Sequence, residues 1–158
     1  MGDFSHLSKS GKASMVDVGG KKVTARTATV RGSVRVSATC GAAITPRIAE
    51  EINTTARIAA IQGSKQTANL IPLCHQVPLS KVEIDVHFES SKSTFFIRTV
   101  TSTEAQTGVE MEAFTAATIA GLTIYDMIKA VDPAASVGPF YLEHKTGGRH
   151  GPWSKPDE

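Results

Sequence analysis

From Thr24 to Ser37 the chain alternates, with Ala28, Val30, Val34 and Val36 at even positions and Arg31 and Arg35 at odd ones. A period of two with one wet face predicts a half-buried β-strand. Residues 39–48 are ambiguous and read as a short helix interrupted at Thr45-Pro46, because a proline pushes the residue before it out of the helical region. From Glu50 onward Ile52, Ala56, Ala59, Ala60 and Gly63 recur at helical spacing, and the pattern runs to about Asn69 before Pro72 stops it. Val82, Ile84, Val86 and Phe88 then alternate with Lys81, Glu83, Asp85 and His87, predicting a second strand. Ser90-Ser91-Lys92-Ser93 makes a turn into a third strand carrying Phe95, Phe96, Ile97 and Val100, so the pair is a hairpin. A long helix is predicted from about Gly108 to Val131, closed by Asp132-Pro133, and a last strand over roughly 136–144.

The order strand, helix, strand, strand, helix, strand is that of the ferredoxin-like split arrangement. This α+β fold has a four-stranded antiparallel sheet with two helices on one face. Residues 1–22 are rich in Gly, Ser and Lys, with Met15-Val16-Asp17-Val18 their only apolar patch, and are expected to form an extended arm. A single catalytic domain is expected over residues 23–146, and a flexible basic tail over residues 147–158.

Composition narrows the class without choosing within it. At 158 residues and 41% hydrophobic positions the chain fits one domain with a real core. A formal charge of +2 is too small for a general nucleic-acid binder, although local clusters of Lys and Arg can serve an anionic small molecule. Cys40 and Cys74 lie far apart, which fits a reduced compartment better than a disulfide framework. With no apolar run of signal-peptide or membrane-span length, the expectation is a soluble cytoplasmic protein with no membrane partner.

The chemistry concentrates in two places. In the long helix, Glu110 and Glu112 stand at one end and Asp126 and Lys129 at the other, around an uncharged run from Phe114 to Ile124. Ionisable groups bordering a buried segment are costly unless paired or at work. Glu112 and Asp126 lie within about 40° of one helix face but roughly 21 Å apart along the axis, too far to touch one reacting atom within a subunit. They bracket a long ligand or belong to two pockets completed by subunit contacts. Glu110 has a second reading, as the end of a capping box begun by Thr107. Asp126 and Lys129, three apart, form either a working acid–base pair or an ordinary salt bridge near a helix end.

The second place is Leu73-Cys74-His75 after Ile71-Pro72. Zinc takes three or four ligands at characteristic spacings and no further Cys lies nearby, so no metal is expected. His75 is either a ligand-orienting or proton-moving group, or a hydrogen-bonded structural histidine beside a buried thiol. Lys65, Arg26 and Lys145, unremarkable singly, supply with Lys129 enough charge for a triphosphate if the fold gathers them.

Taken in order, Met15-Val16-Asp17-Val18, Ala56-Arg57-Ile58-Ala59, Leu70-Ile71-Pro72-Leu73-Cys74-His75, Thr107-Gly108-Val109-Glu110-Met111-Glu112-Ala113 and Leu122 through Ala130 resemble the cyclic pyranopterin monophosphate synthase family of molybdenum cofactor biosynthesis. The resemblance runs from about residue 4 to residue 152. It implies a lyase that converts 3′,8-cyclo-7,8-dihydroguanosine 5′-triphosphate into cyclic pyranopterin monophosphate and releases pyrophosphate. It implies a small nucleotide substrate, no required cofactor, magnesium at most as a companion of the triphosphate, and no nucleic acid. It also implies a homohexamer, a trimer of dimers with sites at the dimer interface. By motif, Asp126 resembles the catalytic aspartate and Lys129 its partner lysine. Leu73 to His75 and Met111-Glu112 resemble substrate-binding stretches, and Glu110 borders them. Lys65, Arg26 and Lys145 resemble basic positions near the pocket.

One position departs. The resemblance puts a lysine where this chain has Ala49, in the segment Ala49-Glu50-Glu51. Arg47 reaching into the site is one account, though a guanidinium is no base near neutral pH. A single engineered substitution is another, but all three positions of the segment differ. Natural divergence with impaired or compensated chemistry fits better. Two other functions compete with the lyase: a non-catalytic nucleotide-binding or regulatory module on the same sheet, and RNA recognition by exposed sheet aromatics. The last is weakest, because Phe95 and Phe96 point to opposite faces.

Overall fold

The computed structural model describes residues 4–8, 10–149 and 151–156; the outermost residues of the expected arm and tail lie outside them. Elements are numbered in chain order. Strand β1 (Thr24–Arg35) carries Ala28, Val30 and Val34 on its inward side, fully buried as the alternation predicts. It pairs antiparallel with β3 (Thr94–Ala105), which sets Ala28 beside Thr101, Val30 beside Thr99 and Val34 beside Phe95. On the other side of β3, β2 (Lys81–Glu89) adds Ile84 beside Thr99 and Val86 beside Ile97. Along the other edge of β1 runs β5 (Tyr141–Thr146). The long strands therefore lie in the order β2-β3-β1-β5, the ferredoxin-like order expected from the element sequence.

The sheet is larger than the four strands expected. Two-residue strands β4 (Ser136–Val137) and β6 (Trp153–Ser154) pair with β1 and β5, giving six. The predicted final strand is split between β4 and β5 at Gly138-Pro139, because proline has no N–H to give the ladder. The tail, expected to be flexible, returns to the sheet and sets Ser154 opposite His144 and Trp153 opposite Lys145.

Helix α1 (Ala38–Ala43) is followed by α2 (Pro46–Ser64), which begins earlier than the periodicity suggested. Thr45 Oγ1 accepts the Ile48 N–H at 3.3 Å, and Pro46 occupies the first helical turn, where a missing N–H costs nothing. The short helix thus ends before Thr45-Pro46, as expected, and the same two residues start the next one. The expected run to Asn69 breaks at Lys65-Gln66, after which α3 (Thr67–Leu70) makes a separate turn. The long helix α4 (Glu110–Ile128) has Val109 at its N-cap with no side-chain bond, so the predicted capping box does not form.

In this topology β1 and β2 run parallel, as do β3 and β5, so each crossover helix returns against its strands and α2 lies antiparallel to α4. The start of α2 therefore lies at the end of α4. Asp132 Oδ2, just past α4, accepts the Ser37 N–H at 2.6 Å and ties the two ends together. Close approach of α4 to the sheet depends on Gly121, where a Cβ would stand 2.8 Å from Phe140 Cζ and 2.9 Å from Val137 Cγ1.

Candidate active site

Three inward threonines of β3 set the site's foundation. Thr99 Oγ1 donates to the Ala113 carbonyl at 2.8 Å, Thr101 Oγ1 to the Val109 carbonyl at 2.9 Å, and Thr103 Oγ1 to the Pro78 carbonyl at 2.5 Å. The first two fix the start of α4 on the sheet; the third fixes the segment leading into β2. Periodicity missed them, because a buried threonine reads as polar in a hydrophobic pattern.

Held this way, the first turn of α4 faces the loop after α3 across a cavity of about 300 Å³. Leu73, Cys74 and His75 line it from the loop, and Glu110, Met111 and Glu112 from the helix. All six sequence candidates from these two stretches thus share one space. Val16, Val18 and Lys21 of the arm complete it, together with Ser5 and His6. Val16 and Val18 belong to the one apolar patch of the arm; nothing in the local sequence pointed to Ser5 or His6.

Glu112 is 4% exposed. Burial, reinforced by the neighbouring Glu110 charge, outweighs a bond to its own backbone N–H and pushes its carboxyl up from 4.5 to about 6. The Cys74 thiol is pushed up by burial and then by the Glu112 charge, so it is neutral and a poor nucleophile here. Glu110 accepts a hydrogen bond from Lys145 Nζ at 2.9 Å, in place of the expected capping bond. Its carboxylate lies over Gly108, where any Cβ would collide with it.

Lys145 and Arg26 meet beside this cavity, in an adjoining hollow of about 80 Å³ that also touches Arg149. The Arg26 guanidinium donates to the Ala105 and Gln106 carbonyls, each at 3.1 Å, and is oriented before any ligand arrives. Lys65 is not part of this lining; it is the exposed C-cap of α2.

Asp126 and Lys129 stand apart from all of these. Lys129 Nζ donates to Asp126 Oδ1 at 2.5 Å, and that bond and charge raise the lysine's pKa. Although Glu112 and Asp126 share a helix face, Asp126 is exposed, because the loop and arm cover only the first turns of α4. The antiparallel helices bring half-buried Ala49, early in α2, to the same end as the Asp126–Lys129 pair, with exposed Arg47 beside it on the first turn. The candidates therefore form two clusters, roughly 21 Å apart along α4. Among the described residues no group of three or more His, Cys, Asp or Glu is arranged to hold a metal, and no helix is long and apolar enough to cross a membrane.

Fold and pocket define an α+β protein with a polar cavity at a helix end, carboxyl groups on the helix side facing an imidazole on the loop side, and cations beside it. This chain belongs to the MoaC family, whose sequence pattern matches residues 15–148. It is 46% identical over 152 residues to the cyclic pyranopterin monophosphate synthase of Bordetella pertussis, covering 95% of this chain and 94% of that one. Identity to the protein of that name from a Nocardioides species is 46% over 156 residues, covering 97% and 96% of the two chains. For the Staphylococcus aureus (strain Newman) protein of that name it is 44% over 166 residues, covering 98% of each.

Proposed function

We propose that this chain is a cyclic pyranopterin monophosphate synthase, a lyase of molybdenum cofactor biosynthesis. It turns 3′,8-cyclo-7,8-dihydroguanosine 5′-triphosphate into cyclic pyranopterin monophosphate and releases pyrophosphate. The observation that carries the reading is the convergence of Leu73, Cys74, His75, Glu110, Met111 and Glu112 on one cavity, beside Arg26 and Lys145. A guanine-derived ring presents N–H donors and carbonyl acceptors, which suit a cavity holding two carboxyls, one of them raised by burial to about 6, and an imidazole. The phosphates would lie toward Arg26 and Lys145, whose charges offset the charge growing on departing pyrophosphate.

Asp126 and Lys129 are the proton-handling pair in this reading. Opening the purine, closing the new ring and forming the cyclic phosphate all require protons to be delivered and removed. Lys129 donates and Asp126 keeps it charged and aimed. The pair is remote from the ring-binding cavity of its own subunit, which supports assembly into a homohexamer, a trimer of dimers, with each site shared across a dimer interface. Lys65 would act in that shared site. The rearrangement is redox-neutral, so no resident cofactor is needed, and magnesium would arrive with the triphosphate. Ala49, at the proton-handling end, leaves this chain with reduced turnover.

The test is pyrophosphate release from the purified cyclic triphosphate, with identification of the pterin product by its mass. Activity from this chain or from its Ala49→Lys version supports the reading. Tight binding with no release from either would point to a regulatory nucleotide-binding module.

A further inference from the structure

The arm is a small self-bonded unit leaning on the cavity. Leu7 and Ala13 pair as a bridge, closed by Ser8 N–H to the Lys12 carbonyl at 2.8 Å and Ser14 N–H to the His6 carbonyl at 2.9 Å. Gly11, at φ +77°, makes the tip. Among the described residues the arm's hydrogen bonds to the domain come from Gln106 Nε2, which donates to the Gly19 and Lys21 carbonyls at 3.2 and 3.0 Å. The arm is thus bonded to the domain at Gly19 and Lys21, beyond the hairpin, while the hairpin's open end, Ser5 and His6, lines the cavity with His75 and Glu112. Phe4 is 81% exposed and Leu7 51%, so burial of apolar surface does not explain the hairpin's position.

The imidazole of His6 is oriented within the hairpin. Its Nδ1 faces the Ser14 carbonyl at 3.4 Å, and a carbonyl can only accept, so Nδ1 carries the proton in that contact. In the neutral ring Nε2 is then an acceptor, on a residue that lines the cavity. We propose that His6 is a ligand-contacting residue of this site, its Nε2 accepting a hydrogen bond from a ring N–H of the bound purine-derived base. The proposal rests on the reading of the cavity as the base-binding site. The carboxyls on α4 are acceptors when ionised, and a further acceptor from the arm adds to them on a donor-rich guanine edge.

Two substitutions separate a ligand role from a structural one. His6→Gln keeps an acceptor near the Nε2 position; His6→Asn keeps a donor near Nδ1, and with it the hairpin bond, but loses the distal acceptor. Calorimetric titration with the cyclic dihydroguanosine triphosphate is expected to show His6→Asn and His6→Ala weakening binding about fivefold, with His6→Gln within about twofold of the unaltered chain. Equal affinity in all four proteins, or rescue by Asn and not by Gln, overturns the proposal. Pyrophosphate release measured on the same samples keeps the two readings distinct. Binding that depends on His6, with no release from this chain or from its Ala49→Lys version, upholds this inference and defeats the lyase; release with no His6 effect does the reverse, and no binding by the unaltered chain defeats both.

Discussion

Thr101 on β3 donates its hydroxyl to the carbonyl of Val109, the N-cap of α4, at 2.9 Å. The same carbonyl accepts the Ala113 N–H at 3.2 Å, so a sheet residue and the helix's own first bond converge on one oxygen. Since Glu110 and Glu112 leave the helix within the next turn, the sheet sets their position through this bond and its neighbour from Thr99.

Thr101→Val keeps the shape and removes the hydroxyl. Val109 retains its helical bond, so the expected cost is about 1 kcal/mol, at the low end for a buried partner. Urea unfolding should show a lower midpoint at unchanged m. Ligand affinity should fall as well, because the start of α4 loses an anchor; unchanged affinity would separate the threonines from the site.

Glu112 gives a pH dependence with a fixed sign. Its carboxyl is raised from 4.5 to about 6, so its protonated form is favoured by folding. Below pH 4.5 it is protonated both folded and unfolded and costs nothing. As pH rises through about 6, the folded protein must ionise a buried group and loses roughly 2 kcal/mol relative to an uncharged residue there. Glu112→Gln should therefore match the unaltered chain at pH 4 and exceed it in stability at pH 7.5, read from urea midpoints. A Gln advantage that is the same at both pH values would contradict the shift.

Asp126→Asn probes the distant cluster. The Asp126 and Lys129 side chains are 71% and 56% exposed, so the melting temperature should scarcely move. Pyrophosphate release should fall by about 10²-fold or more if the pair handles protons. A large stability loss with intact turnover would make it a structural ion pair instead.

Ala49→Lys is expected to raise turnover, by an amount approaching the roughly 10²–10⁴-fold that one acid–base group supplies. Ala49 is half-buried near the N-terminus of α2, where the helix dipole disfavours a cation, so a modest drop in stability should accompany the gain. Equal turnover in both proteins would remove Ala49 as a cause of impairment.

Much of this molecule was legible along the chain because alternation and helical spacing record which side of an element is buried. The alternations in β1 and β2 and the uncharged centre of α4 led directly to the strand order. Six of the residues lining the cavity came from two short stretches whose types made sense together. For Glu110 the spacing left two readings open, a capping box and a ligand role, because spacing cannot say which partner wins. In the folded chain Lys145, distant in sequence, takes the carboxylate. Thr45-Pro46 ends the short α1 as the pattern suggests, and it also begins α2, which the spacing from Glu50 onward did not reach.

What the sequence by itself determined is the local periodicity, hence the elements, their order and the residue types that can do acid–base and anion chemistry. The tertiary structure decided which of those residues meet. It sank Glu112 and left Asp126 in solvent on the same helix face, because only the first turns of α4 are covered by the loop and arm. It gathered Arg26 and Lys145 and left Lys65 apart. It also brought His6, unmarked by any pattern, to the cavity. Burial and proximity arise from contacts between segments far apart in the chain, and a pattern read along one segment carries no term for them.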